Sequence, residues 1–131
     1  MDISSLNIPE TVRVHIEFPG SGKLYADDAK TQPVVIEMYG PSTDQFLQEK
    51  RRAARVFRNA AMKKGKVDDI DPIEEEVKRL CNLTASVSGL TYKGEIISRD
   101  TVVKVYRDPK MGWLKEQVAE RIAGWDSFLD S

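Results

Sequence analysis

A chain of 131 residues, 40% hydrophobic and 31% charged, carries enough apolar surface for one core and is too short for two. Its net charge of −1 gives the molecule as a whole no pull toward nucleic acid or an acidic membrane, so either role would have to come from local clustering. The single cysteine, Cys81, excludes an internal disulfide and suits a reducing compartment, and the apolar runs are far too short to span a membrane.

Residues 1–10 are polar and broken by Pro9; they read as a flexible arm, and the acidic Asp2 and Glu10 do not fit a secretion leader. The rest, 11–131, reads as a single α+β domain with a β-sheet part over 11–40 and a helical part over 42–131. Thr11 to Phe18 alternates, Val12, Val14, Ile16 and Phe18 against Arg13, His15 and Glu17, which predicts a half-buried strand. Pro19-Gly20-Ser21-Gly22 is turn chemistry, with Lys23 to Ala26 returning as a second strand, and Pro33 to Tyr39 predicts a third.

From Ser42 the period becomes helical, with Phe46, Leu47, Ala53, Ala54, Phe57, Ala60 and Ala61 on the apolar stripe; Ser42, Thr43 or Asp44 serves as N-cap and Gly65 as the stop. Asp71-Pro72-Ile73-Glu74 starts a second helix, whose stripe of Ile73, Val77, Leu80, Cys81, Thr84 and Val87 extends to Ser88-Gly89. A Lys93-Gly94 turn follows, then a short helix capped by Ser98 with Asp100 and ending before Pro109. A last helix runs from about Lys110 to Leu129 on Leu114, Val118, Ile122, Trp125 and Leu129. The expected architecture is a small N-terminal antiparallel β-sheet followed by a bundle of three to four α-helices.

Catalytic chemistry finds little support. His15, the only histidine, falls on the polar face of a strand and is read as solvated. Cys81 lies in an apolar stripe, and one of each builds no zinc site within a chain. Asp68, Asp69 and Asp71 lack calcium-loop spacing, and Gly20-Ser21-Gly22-Lys23 lacks the full phosphate-loop pattern. No enzymatic activity, cofactor or metal is expected.

Charge segregation is the strongest signal: Lys50, Arg51, Arg52, Arg55, Arg58, Lys63, Lys64 and Lys66 occur without an intervening acid, and Asp68 to Glu76 then supplies six acids. A nucleic-acid-binding helix over 50–66 is one reading, opposed by the lack of aromatic residues interleaved for base stacking. A solvated face partly neutralised by the acidic helix beside it is another, and a protein-partner surface a third. Trp113 and Phe128 lie at the edge of the last helix, where an aromatic side chain either packs or anchors a partner.

The stretches Cys81-Asn82-Leu83-Thr84, Val87-Ser88-Gly89-Leu90, Tyr106-Arg107-Asp108-Pro109, Trp113-Leu114-Lys115-Glu116-Gln117-Val118 and Phe128-Leu129, in this order and spacing, resemble the tail assembly chaperones of long-tailed bacteriophages. Upstream, Val34 to Gly40, then Ser42-Thr43-Asp44-Gln45-Phe46 and the Arg-rich helix extend the resemblance to roughly Lys23 to Ser131. One departure is Val87, where the family often has tryptophan. The resemblance implies a non-virion protein made late in infection, acting in the host cell cytoplasm. It would bind the tape measure protein, keep it soluble and help recruit tail tube protein, without ATP. Self-association is left open, and no membrane partner is expected. On this reading Arg51, Arg55, Arg58, Trp113 and Phe128 make partner contacts. The rivals are a structural tail protein, such as a completion or connector subunit, and a nucleic-acid-binding regulator.

Overall fold

The computed structural model describes residues 2–3, 10–63 and 70–130, with the side chains of 125–130 excepted. The arm read over 1–10 falls largely outside the described residues. So do Gly65, Lys64, Lys66, Asp68 and Asp69, and the side chains of Trp125, Phe128 and Leu129.

The architecture is α+β, as the sequence predicts. Strand β1 (Thr11–His15) pairs antiparallel with β4 (Val35–Tyr39) from Thr11 opposite Tyr39 to His15 opposite Val35. The alternating strand predicted as continuous to Phe18 breaks at Ile16, whose side chain is fully buried. It resumes as β2 (Glu17–Phe18), paired with β3 (Gly22–Lys23). Gly20 in the turn and Gly22 at the start of β3 both adopt positive φ, so the glycine-rich segment forms a hairpin as read. His15 is not a solvated surface group. Its Nε2 lies 2.8 Å from the Leu24 carbonyl and its ring meets Tyr25 edge-on, because the return strand folds back over that face of β1.

Helix α1 (Asp44–Met62) starts where Thr43 accepts a hydrogen bond from the Phe46 amide, and α2 (Pro72–Leu83) where Asp71 accepts from the Ile73 and Glu74 amides. The second helix does not continue to Val87. It stops at Leu83 and passes without a loop into β5 (Thr84–Ser88), which pairs with β4 and completes a sheet of order β1-β4-β5. Two pressures override the helical period. The far edge of β4 carries backbone donors and acceptors needing partners in a buried setting, and Thr, Ser and Val suit a strand better than a helix interior. The division into a sheet part over 11–40 and a helical part over 42–131 is corrected accordingly, since the sheet draws its third strand from the second half. Gly89, read as a helix stop, instead ends β5. Its φ is +74°, and a Cβ there would lie 2.9 Å from the Pro33 carbonyl oxygen.

A second hairpin, β6 (Thr91–Tyr92) and β7 (Glu95–Ile96), turns on Lys93 and Gly94, both at positive φ, the pattern of a tight primed turn. Helix α3 (Val103–Arg107) is preceded by a turn in which the Thr101 and Val102 amides donate to the Ser98 carbonyl, so the expected side-chain cap from Ser98 or Asp100 is replaced by backbone bonding. After a 3-10 turn at Pro109–Met111, α4 (Gly112–Asp130) closes the chain's packing.

One core unites these elements. Ile16, Ile36, Met38, Leu80, Leu83, Ile97, Val102, Tyr106, Leu114, Val118 and Ile122 are each buried to 2% exposure or less. Each large apolar side chain removed from water contributes about 1.5–3 kcal/mol. The polar groups within are satisfied: Thr84 donates to the Leu80 carbonyl at 2.7 Å, and its hydroxyl lies 3.0 Å from that of Tyr106, so no buried side-chain nitrogen or oxygen among the described residues lacks a partner.

Candidate partner-binding surface

Helix α1 places Phe46 in the core and is joined to α2 by a network of charged and amide side chains. Glu49, only 4% exposed, accepts from Arg52 Nε at 2.8 Å, from an Arg52 terminal nitrogen at 2.6 Å and from Asn82 of α2 at 2.7 Å. Arg52 reaches on to Glu75 of α2 at 3.1 Å. These bonds, that to Glu49 first, hold the Arg52 guanidinium protonated with its pKa raised, while burial opposes them. Arg79 of α2, half-buried, has its pKa lowered by desolvation, with Glu49 and Glu76 countering. Part of the basic run is thus neutralised by the acidic helix, as one sequence reading expected.

With Phe46 and Glu49 facing inward, most of the predicted apolar stripe is turned to solvent. Leu47 is 46%, Phe57 52% and Met62 77% exposed, and Ala54 and Ala61 are also exposed. The expectation that Leu47 and Phe57 join the core is therefore corrected: α2 offers α1 carboxylates and an amide, so α1 presents to it the side chains that can bond them. Arg51, Arg55 and Arg58 are all exposed on the same helix and have no ion-pair partner among the described residues. Leu47, Ala54 and Ala61 recur every seven residues, with Phe57 three residues after Ala54 and with Arg51 and Arg58 each four residues after an apolar position. Apolar and cationic side chains therefore alternate on one face.

Trp113 belongs to a different surface. It is half-buried against the core, and its ring meets Phe18 edge-on at 5.0 Å between centroids. Gln117 clasps the same strand, accepting from the Glu17 amide at 2.8 Å and donating to its carbonyl at 2.6 Å. The open cleft there, about 360 Å³, is lined by Glu17, Phe18, Trp113, Glu116 and Glu120 among others and includes no residue of α1. Trp113 and the α1 arginines therefore do not form one site, and Trp113 serves to dock the β2–β3 hairpin on α4.

Cys81 is half-buried beside the core, and burial raises its thiol pKa, which disfavours the nucleophilic thiolate. Among the described residues no group of three or more potential metal ligands comes together, and no helix is long and apolar enough to cross a membrane. Sequence reasoning missed Glu49 and Asn82, the groups that orient α1. The available signal was a lone acid, Glu49, at the head of a basic run and facing an acidic helix. Compared with protein-family models, curated proteins and solved structures, the chain matches none.

Proposed function

We propose that this chain is a non-catalytic protein-binding domain of the tail assembly chaperone type, which binds the tape measure protein in the host cell cytoplasm and hands it to tail tube protein. The observation that supports this reading is the outer face of α1, where Leu47, Phe57 and Met62 stand in solvent among Arg51, Arg55 and Arg58 on a helix clamped to the body from its other side. Exposed apolar side chains on a clamped helix suit capture of another apolar segment, and interleaved arginines keep the unoccupied face soluble. His15 and Cys81 are both engaged in packing, which accords with a binding role. Leu47 and Phe57 within the basic face weigh against nucleic acid, which offers no apolar surface along its phosphates.

Co-expression with the tape measure protein of the same genome tests the reading. A soluble complex is expected, with the tape measure protein insoluble when expressed alone. If no complex forms and the tape measure protein stays insoluble, the chaperone reading falls, and finding the chain in purified virions would establish a structural tail subunit instead.

A further inference from the structure

We propose that the occupant of the outer face of α1 is an acidic amphipathic helix, laid along α1 in coiled-coil fashion; this names the chemistry of the partner and rests on α1 being the binding element. Leu47, Ala54 and Ala61 fall at one heptad position, and Lys50 and Phe57 fall at the second core position. Arg51 and Arg58 then fall beside this seam, at the flanking positions whose charges select partner and orientation. The alanines leave room for a second backbone to approach closely, and Leu47 and Phe57 supply the large side chains that fill the gaps of a facing helix. Nineteen residues give a contact length of about 28 Å, sufficient for several turns of a partner.

The distribution of charge decides among occupants. A membrane-surface helix segregates its cations to the side away from the lipid, whereas here Arg51 and Arg58 stand one turn from Leu47 and Ala54 respectively on the same face, so insertion would bury guanidinium groups. Nucleic acid would neutralise the arginines but set Leu47, Phe57 and Met62 against phosphates. A second copy of α1 on the same face would bring arginines against arginines. A helix with leucine at its core positions and glutamate at its flanking positions satisfies both kinds of side chain at once.

The test uses the intact chain and two labelled synthetic peptides with the same leucine heptads, one carrying glutamate and the other lysine at every flanking position, with binding read by fluorescence anisotropy. The glutamate peptide is expected to bind and to weaken with added salt. Arg51→Glu with Arg58→Glu should weaken it by about tenfold or more and transfer preference to the lysine peptide. Phe57→Ala should weaken either pairing without changing the preference. Circular dichroism and the melting temperature of each variant check that the fold is retained. Equal binding of both peptides, binding of neither, or displacement of the glutamate peptide by duplex DNA or anionic phosphatidylserine vesicles would overturn the proposal. Glutamate-peptide binding without capture of the tape measure protein would leave this inference standing and remove the chaperone reading. A soluble tape measure complex that survives Arg51→Glu/Arg58→Glu would do the reverse.

Discussion

Helices α1 and α4 are each nineteen residues long and each shows apolar residues at helical spacing, yet they use those residues in opposite ways. In α4, Leu114, Val118 and Ile122 enter the core that also holds Ile36 and Met38. In α1, Phe46 at the N-terminal end enters that core while Leu47 and Phe57 remain in solvent, and the rest of the seam to the body is carried by Glu49, Arg52, Glu75 and Asn82. Periodicity thus establishes that a helix forms, while the chemistry of the neighbouring surface decides which face docks. A polar seam also leaves an apolar face available, which a helix docked by its stripe does not.

Substitution in the two stripes should expose the contrast most strongly. Ile122→Ala in α4 is expected to lower stability by about 2–5 kcal/mol in chemical denaturation, through lost burial and the cavity it leaves. Phe57→Ala in α1 should stay within about 0.5 kcal/mol of the parent. An equal loss at both would mean that α1 buries its stripe as α4 does. Next in size, Glu49→Ala removes the acceptor shared by Arg52 and Asn82 and should cost about 1–3 kcal/mol. Because the damage is confined to the α1–α2 seam, amide exchange should accelerate in α1 more than in β4; uniform acceleration would contradict a local clasp. At the junction of α2 and β5, Thr84→Val leaves the Tyr106 hydroxyl without its buried partner, an effect of about 1–2 kcal/mol on the same denaturation curve.

The smallest effect concerns pH. Hydroxyls of Thr11 and Ser86, on the two strands flanking β4, donate to Glu37 and hold its carboxyl below the ordinary carboxylate range, burial opposing. A carboxyl whose pKa is lower folded than unfolded gives a stabilisation that is complete above the unfolded pKa and is lost as pH falls through the folded one. Melting temperature should therefore decline in acid less steeply for Glu37→Gln than for the parent, and parallel declines would assign acid sensitivity elsewhere.

Much of the fold was legible because local chemistry and tertiary outcome agree there. The Asp71 cap, the Lys93-Gly94 turn and the Leu114, Val118 and Ile122 stripe each encode their own structure. Thr84 to Ser88 was not legible as a strand, because its pairing edge is supplied by residues far away in sequence and its apolar positions happen to continue a helical period. The α1 arginines stood out as a charge run, and their exposure follows it. The orientation that places Leu47 and Phe57 beside them depends on Glu49 meeting Asn82, a match between two helices that neither segment carries alone.

The direct passage of α2 into β5 bears on how the chain finds its native state. Central β4 pairs with a neighbour that arrives only after all of α1 and α2, so closing the sheet early would sacrifice the freedom of a long intervening segment. If the two helices zip together first, the segment becomes a stiff hairpin whose last residue, Leu83, already adjoins the incoming strand. The Glu49–Arg52–Glu75 clasp is then a kinetic guide, and weakening it should slow refolding more than it speeds unfolding.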